Sequence, residues 1–218
     1  MKKRYAIFLF LGCSIFGFSQ KIAEKKVQSL ATQIEISTLG LDEVVLENST
    51  SEFIEMYLTA ENPNQQHLVY KEAGETVYIK FHIPEMSTED PVFRKFITQR
   101  LQRASAIIKI PQQKSVIIFG DNINITSKSY KGPLDVYIEN GILKLDTVQA
   151  STKVKLYEGS VFASLKDANI QAVSTSGTIS IDQKIQQENF YKKAANSAIH
   201  FTITTSKANI FLTTYKTQ

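Results

Sequence analysis

The sequence has little of the chemistry that most enzymes and metal proteins use. Its 218 residues contain no Trp, one Cys, three His, five Pro and nine Gly. A single Cys excludes a disulfide within the chain and every zinc site built on paired Cys. His67, His82 and His200 are isolated from one another, and none belongs to a His-x-x-x-His pair. We therefore predict no metal site and no cofactor.

The charge balance argues against a protein that binds nucleic acid. The chain has 25 Lys and Arg against 21 Asp and Glu, a formal net charge of +4. Lys2, Lys3 and Arg4 lie within the segment 1–19, which contains no acid; without them the chain carries 22 positive and 21 negative side chains. A body so close to neutral lacks the basic surface that phosphate binding requires. With 43% apolar and 21% charged residues, it is expected to fold as a globular protein.

Residues 1–19 have the three parts of a cleaved secretory signal. A basic start is followed by the apolar stretch 6–18, and Gly17 and Ser19 are the small residues before a cut between Ser19 and Gln20. The apolar stretch is shorter than the roughly 20 residues that a membrane-spanning helix needs. We expect a mature chain without a transmembrane span, exported to the periplasm, the outer-membrane surface or the extracellular space.

Cys13 supplies an alternative form of the same signal. The run Phe10-Leu11-Gly12-Cys13 loosely resembles a lipoprotein signal, in which the Cys would be lipidated and would become the first residue. Phe10 fits that signal poorly, and the apolar run continues beyond Cys13. The sequence therefore favours cleavage after Ser19, with a lipid anchor at Cys13 as the alternative.

Residues 20–105 are predicted to form N-terminal β-structure with one exception. Short runs of alternating apolar and polar residues, rich in β-branched and aromatic types, are separated by turn residues. Within the stretch 92–103, four apolar side chains instead follow the spacing of one helix face: Phe93, Phe96, Ile97 and Leu101. We predict a short helix or helical loop there, with an irregular crossover as the alternative.

Residues 106–218 contain an 18-residue repeat. Gly141, Gly159 and Gly177 follow one another at intervals of 18 positions. The apolar positions keep the same step, as in Val136 and Val154 or Leu143, Val161 and Ile179. The pattern returns at Phe201 after a shift of 31 positions, which indicates an insertion near 182–199.

This constant step favours a stack of short strands. Each unit would hold two strands of four or five residues, with the Gly at the corner between them. One unit cannot bury its inward row alone, so successive units would stack into a β-solenoid of about five coils. A β-sandwich of hairpins is the alternative, but it would not need a constant step. We expect residues 21–105 to cap one end and the final coil to close the other.

Three segments of the chain resemble a known bacterial group. They are Ile34-Glu-Ile-Ser-Thr-Leu-Gly-Leu-Asp-Glu-Val-Val-Leu46, Ile108-Lys-Ile-Pro111 and Phe119-Gly-Asp-Asn-Ile-Asn-Ile125. They are similar to the putative-adhesin families of Bacteroidetes envelopes, including the auto-transporter adhesin head-domain group. The resemblance covers roughly residues 32–215 and implies an exported, all-β, single-stranded right-handed β-helix. It supplies no catalytic residue, and the insertion near 182–199 departs from it.

Two sets of side chains are candidates for a partner surface. Tyr137, Phe162 and Phe211 fall on outward positions of the repeat and would suit a protein or glycan partner, unless the insertion covers them. A basic cluster would suit an anionic polymer or lipid headgroups, or would simply be the solvated face of a helix. Its members are Arg94, Lys95, Arg100 and Arg103.

The sequence therefore predicts a non-enzymatic cell-envelope protein that presents a surface for adhesion or scaffolding. The first alternative is a periplasmic module that binds or senses a glycan, a lipid or a protein. The second is a polysaccharide-active β-helix enzyme, which would need carboxylates aligned in successive coils. We identify no catalytic residue in the outward rows Asp135, Lys153, Gln171 and Lys144, Phe162, Ser180.

Overall fold

The computed structural model describes residues 21–60, 62–83, 104–194 and 197–215. The predicted signal in residues 1–19, with Cys13, lies outside the described residues. So does the predicted helical stretch 92–103 with the basic cluster Arg94, Lys95, Arg100 and Arg103.

The fold is all-β, as predicted. Sixteen strands form one continuous hydrogen-bonded sheet, and within the described ranges the single helical element is a 3-10 turn at Gln65–His67. The strands are β1 (Ile22–Gln28), β2 (Gln33–Ser37), β3 (Glu43–Asn48), β4 (Phe53–Thr59), β5 (Leu68–Ala73), β6 (Thr76–Phe81), β7 (Ser105–Ile110), β8 (Ser115–Asn122), β9 (Asn124–Ser127), β10 (Leu134–Val148), β11 (Thr152–Lys166), β12 (Asn169–Ser174), β13 (Ile179–Ile181), β14 (Lys184–Ile185), β15 (Asn189–Lys192) and β16 (His200–Tyr215).

The middle of the sheet is a parallel stack in which residues of β8 to β11 pair with residues 18 positions away, apart from a register shift that pairs Val148 with Leu165. Val136 of β10 pairs with Val154 of β11, and Leu143 pairs with Val161. β8 and β9 continue the same step on the other side of β10. We call the segments 33–48, 115–127, 134–148, 152–166, 169–181 and 200–215 coils, because each runs along the core on two arms joined by a corner.

Each coil buries alternate side chains on both arms. In β10, Leu134, Val136 and Ile138 are buried before the corner, and Leu143 and Leu145 are buried after it. The alternation changes phase at the corner, so both arms turn their apolar side chains inward. Stacking aligns these residues into one continuous hydrophobic core. No buried side-chain nitrogen or oxygen in the described part lacks a hydrogen-bond partner.

Glycine is required at three of the corners, Gly141, Gly159 and Gly177, because the neighbouring coil approaches there too closely for a side chain. Gly141 and Gly159 have φ angles of +141° and +123°. A Cβ on Gly159 would lie 2.0 Å from the carbonyl oxygen of Gly141, and one on Gly177 would lie 1.9 Å from that of Ala208. The equivalent position in coil 200–215 is Ala208 itself, which pairs with Gly159. That corner accommodates a methyl group.

Replacing Gly159 with Ala is expected to destabilise the stack strongly. The new Cβ would meet backbone rather than a mobile side chain, and the φ angle would also be unfavourable. We expect a loss of about 3 kcal/mol in the free energy of unfolding, measured by urea denaturation. Ser160→Ala, the next residue along the same corner, is the control and should change stability by less than about 0.5 kcal/mol. Equal effects would contradict the close approach.

The coils do not stack in the order of the sequence. Coil 200–215 lies between coils 152–166 and 169–181: Thr204 of β16 pairs with Lys155 of β11 on one side and with Val173 of β12 on the other. The prediction that the final coil closes one end of the stack is therefore wrong. Coil 169–181 lies at the end of the stack. Coil 200–215, although it comes later in the sequence, pairs between coil 169–181 and coil 152–166.

The other end of the stack has the same arrangement. β2 and β3 of coil 33–48 pair with β8 and β9 on one side and with β6 and β7 on the other. The chain from β7 to β8 must therefore cross coil 33–48. Lys114 in this crossing donates hydrogen bonds to the carbonyls of Ser29 and Ala31. The buried hydroxyl of Tyr130 donates to the Lys114 carbonyl at 2.7 Å, which fixes the crossing in place.

Antiparallel strands cover the outer edges at both ends of the stack, where β6 and β7 form one end and coil 169–181 forms the other. β5 pairs with β6, and β4 pairs with β7 and carries β1 on its far side. At the other end, β15 pairs with β12 and β14 pairs with β13. The insertion near 182–199 supplies β14 and β15, so it extends the sheet at the end of the stack. Covered edges of this kind hinder pairing with other chains.

Candidate binding surface

The outward side chains of adjacent coils form two aromatic stacks. Phe119 and Tyr137 pair in the register of β8 and β10; their rings are 5.3 Å apart and inclined by 16°. Phe162 and Phe211 pair in the register of β11 and β16; their rings are 5.0 Å apart and inclined by 12°. Pairing in register brings the two rings of each pair side by side, and stacked aromatic pairs with centroids about 4.5–7 Å apart are weakly stabilising.

The two stacks lie on different arms of the coils. Tyr137 precedes the corner Gly141, whereas Phe162 follows the corner Gly159. The structure therefore does not bring Tyr137, Phe162 and Phe211 together in one patch. Phe162 and Phe211 remain 41% and 38% exposed, so the insertion does not cover these two side chains.

Cations extend the aromatic rows. The Nζ of Lys155 lies 5.9 Å from the centre of the Tyr137 ring, and the Nζ of Lys207 lies 5.3 Å from that of Tyr157. The Tyr137 hydroxyl donates to Oδ2 of Asp135 at 3.1 Å. Such contacts between a cation and a ring at the surface are weakly stabilising. They also leave little of the Tyr137 ring free for a ligand.

An open groove of about 520 Å³ runs across several coils beside the corners. One wall is formed by the outward residues Phe119, Tyr137 and Lys155. The other wall is formed by Asp121, Glu139 and Tyr157, which lie two positions further along each strand, next to the corners. The lining residues that carry aromatic or charged groups are Phe119, Asp121, Tyr137, Glu139, Lys155 and Tyr157. Rows of outward residues two positions apart in each strand are separated by about 7 Å. The groove is therefore narrow and follows the axis of the stack.

A smaller pocket of about 280 Å³ adjoins this groove at Phe119, Gly120 and Asp121. Its far side is the turn 37–41 of coil 33–48. The backbone nitrogen and the hydroxyl of Thr38 both donate to the Phe119 carbonyl, at 2.9 and 3.1 Å. These bonds hold the turn against the wall of the pocket. Gly120 permits this contact, because a Cβ there would lie 2.3 Å from Oγ1 of Thr38.

Three carboxyl groups elsewhere on the described surface, those of Glu55, Glu72 and Asp182, have lowered pKa values. Hydrogen bonds from tyrosine hydroxyls lower the pKa of Glu55 (from Tyr57, 2.7 Å) and of Glu72 (from Tyr70, 2.5 Å). The hydroxyl and backbone nitrogen of Thr214 lower the pKa of Asp182. A lowered pKa keeps a carboxyl ionised near neutral pH, which suits an acceptor rather than a general acid.

The described residues contain no group of three or more His, Cys, Asp or Glu that could hold a metal ion. Among the same residues, no helix has the length and apolar character to cross a membrane. The lining of the groove supplies aromatic rings, hydroxyls, carboxylates and one lysine. These groups bind through contact and hydrogen bonds.

Sequence reasoning missed most of the groove. It identified Tyr137 but not Phe119, Tyr157 or Asp121 as site residues. Phe119 stands 18 positions before Tyr137, so extending the repeat by one step towards the N-terminus would have found the ring pair. Asp121 and Glu139 also stand one step apart at the corner. This pair of carboxylates lies outside the outward rows Asp135, Lys153, Gln171 and Lys144, Phe162, Ser180.

Comparisons with known proteins indicate a shared fold. No protein-family model matches the chain, and no curated protein sequence matches it. A putative cell adhesion protein from Clostridium sporogenes matches with a TM-score of 0.65 at 13% identity, over 89% of this chain and 99% of that one. A putative adhesin from Parabacteroides merdae matches with a TM-score of 0.38 at 12% identity, over 91% and 80%. One from Bacteroides fragilis gives 0.30 at 10%, over 90% and 98%. The chain shares the fold of the Clostridium protein.

Proposed function

We propose that the protein is an exported, non-enzymatic β-solenoid of the bacterial cell envelope that binds a partner through the groove at Phe119. The groove itself carries this proposal: it is open, lined by aromatic and charged side chains, and built on rigid stacked strands. Surface patches with such a lining commonly serve binding. The fold of a putative cell adhesion protein supports the same function.

The proposed solenoid is a single-stranded right-handed β-helix whose end coils are interchanged. Its support is the 18-residue register between β8, β10 and β11, and the equivalent register of β16 after a shift of 49 positions from β11. Parallel strands in register at a constant step are the arrangement that coiling of one chain produces. A rigid stack of this kind suits a protein that holds a binding surface away from its anchor.

Export and anchoring rest on residues 1–19. Cleavage after Ser19 would leave Gln20 as the first residue, whereas a lipoprotein signal would leave a lipidated Cys13. Mass spectrometry of the N-terminal peptide of the mature protein separates the two outcomes. A protein that keeps residues 1–19 would contradict export by this signal.

Exposure to protease on intact cells tests the adhesin-like role. We expect added protease to cleave the protein without opening the outer membrane, because an adhesion surface must reach the outside. A known periplasmic protein that survives the same treatment is the control. If this protein is degraded only after the outer membrane is opened, the periplasmic binding module replaces the adhesin.

The pair Asp121 and Glu139 favours a second candidate function, a polysaccharide-active enzyme. Both residues line the groove, and they occupy equivalent positions in adjacent coils. Two carboxylates beside one glycosidic bond are the machinery of most glycoside hydrolases, but one of them must hold its proton near neutral pH. Both side chains lie at the exposed rim of the groove. Release of reducing ends from any polysaccharide would establish the enzyme, provided that Glu139→Gln abolishes it.

A further inference from the structure

We propose that the pocket between the turn 37–41 and Phe119 binds one neutral pyranose ring, with the rest of a glycan lying along the adjoining groove. This inference deepens the proposed function, on which it rests, by naming the chemical class of the ligand. A pyranose presents an apolar face of C–H groups and a rim of hydroxyls. The pocket offers a matching aromatic face and polar rim.

The aromatic face belongs to Phe119. One face of its ring is covered by Tyr137 in the next coil. On the opposite side, the residue in register is Ser37, whose side chain is too short to cover a ring. Phe119 and Ser37 both line the pocket, whereas Tyr137 does not, and Phe119 is 42% exposed. One aromatic face is therefore open to the pocket.

The polar rim supplies both acceptors and donors. The Asp121 carboxylate makes no ion pair or side-chain hydrogen bond within the described part of the chain, and it lines both the pocket and the groove. Oδ1 of Asn122 accepts a hydrogen bond from Asn140 at 3.0 Å, which leaves the Asn122 amide hydrogens free to donate. The hydroxyl of Ser37 can both donate and accept hydrogen bonds. Ligand hydroxyls require such a mixture, because each is a donor and an acceptor.

The pocket is held in shape before any ligand arrives. The two hydrogen bonds from Thr38 fasten the turn 37–41 to β8, and the bond from Asn140 orients Asn122. Its volume of about 280 Å³ is just below the usual range of ligand pockets, roughly 300–1,000 Å³. A site of that size takes a single ring. Preorganisation reduces the entropy lost on binding.

Other ligand classes fit the pocket less well. A quaternary ammonium group is recognised by several aromatic faces that surround it, and here a single face is open. An anionic ligand would meet the carboxylate of Asp121, and the described residues of the pocket lining include no cation to face it. A neutral pyranose can pack its apolar face on the Phe119 ring and form hydrogen bonds between its hydroxyls and the polar rim of the pocket.

Titration of the purified mature protein, residues 20–218, tests this inference. The probes are methyl glycosides of glucose, galactose and N-acetylglucosamine, with choline chloride and glucuronate as the competing classes, followed by amide chemical shifts in NMR spectra. We expect at least one neutral glycoside to shift the amides of Ser37, Gly120 and Asp121 with a dissociation constant in the millimolar range. A response to choline or glucuronate alone would overturn the proposal, as would no response to any probe.

Substitutions locate the site and separate it from the second aromatic stack. Phe119→Ala is expected to weaken binding about tenfold or more. Phe162→Ala is the matched control, since Phe162 is equally exposed and also stacked, and it should leave binding unchanged. Asp121→Asn, at an exposed position, should weaken binding without altering the unfolding midpoint, so the test does not depend on the stability of Phe119→Ala. Equal losses for Phe119→Ala and Phe162→Ala would overturn the assignment.

The outcome is independent of the cell experiment. Binding is measured on purified protein, so a glycan site found in a protein that protease cannot reach on cells would indicate a periplasmic glycan-binding module. If the purified protein binds none of the glycosides but protease cleaves it on intact cells, the pyranose site is contradicted and the adhesin-like role is not.

Discussion

Replacing Val154 with Asp is expected to unfold the stack, whereas Lys155→Glu, at the next position along the same strand, should be mild. Val154 is fully buried and is in register with Val136 on one side and Ile203 on the other. A carboxylate at this position would have no partner and no water. We expect a loss of more than about 4 kcal/mol, a large part of the roughly 5–15 kcal/mol that stabilises an ordinary domain.

Lys155 points outward from the same strand and is exposed. Its reversal to Glu removes the contact with the Tyr137 ring and should cost less than about 1 kcal/mol. Urea unfolding followed by far-ultraviolet circular dichroism measures both variants. Val161→Asp repeats the test on the second arm, where Val161 is also fully buried. If Val154→Asp and Lys155→Glu have equal effects, the assignment of inward and outward rows is wrong.

The pairing of the central coils could be predicted from the sequence because it depends on local periodicity. Alternation along each arm identifies the inward side chains, and the 18-residue step identifies which of them meet. The structure has this register: Leu134 pairs with Thr152, Leu143 with Val161 and Gly141 with Gly159. These relations need no knowledge of distant segments, since they follow from strand geometry and from the space available at the corners.

The order of the end coils could not be predicted, because every order satisfies the same periodicity. Phe201 is in register with Ile170 after 31 positions and with Thr152 after 49. The buried side chains of coil 200–215 would be in register with those of a neighbouring coil whether it lay at the end of the stack or between coils 152–166 and 169–181. The insertion makes the difference: β14 folds back on β13 and β15 pairs with β12. Those pairings occupy the outer edge and leave only the inner edge for β16.

The candidate site, too, could be predicted only in part from the 18-residue repeat. Phe119 follows from the repeat, since it stands one step from Tyr137 and has the same outward orientation. The turn 37–41 does not follow, because its contact with Phe119 joins residues about 80 positions apart at no multiple of the repeat. Pairing across such a distance depends on where the crossing at Lys114 places coil 33–48, and crossings of this kind leave no periodic signal.

A disulfide between positions 155 and 204 is expected to form, and one between positions 155 and 173 is not. The side chains of Lys155 and Thr204 are adjacent in the register of β11 and β16, while Val173 lies on the far side of β16. Adjacent strands are about 4.8 Å apart, within the range of a disulfide, and the next strand is at twice that distance. The chain from Gln20 onward contains no natural Cys, so each double variant has one pair to oxidise.

Lys155→Cys with Thr204→Cys should therefore oxidise to a monomer that migrates faster on a non-reducing gel, whereas Lys155→Cys with Val173→Cys should keep two free thiols. The first bond closes a loop of about 50 residues and should raise the free energy of unfolding by up to about 4 kcal/mol. Sequential stacking would reverse the result, because Lys155 and Val173 are separated by one step of the repeat and would then be neighbours. The cross-link thus tests whether β16 is inserted between two coils that precede it in the sequence.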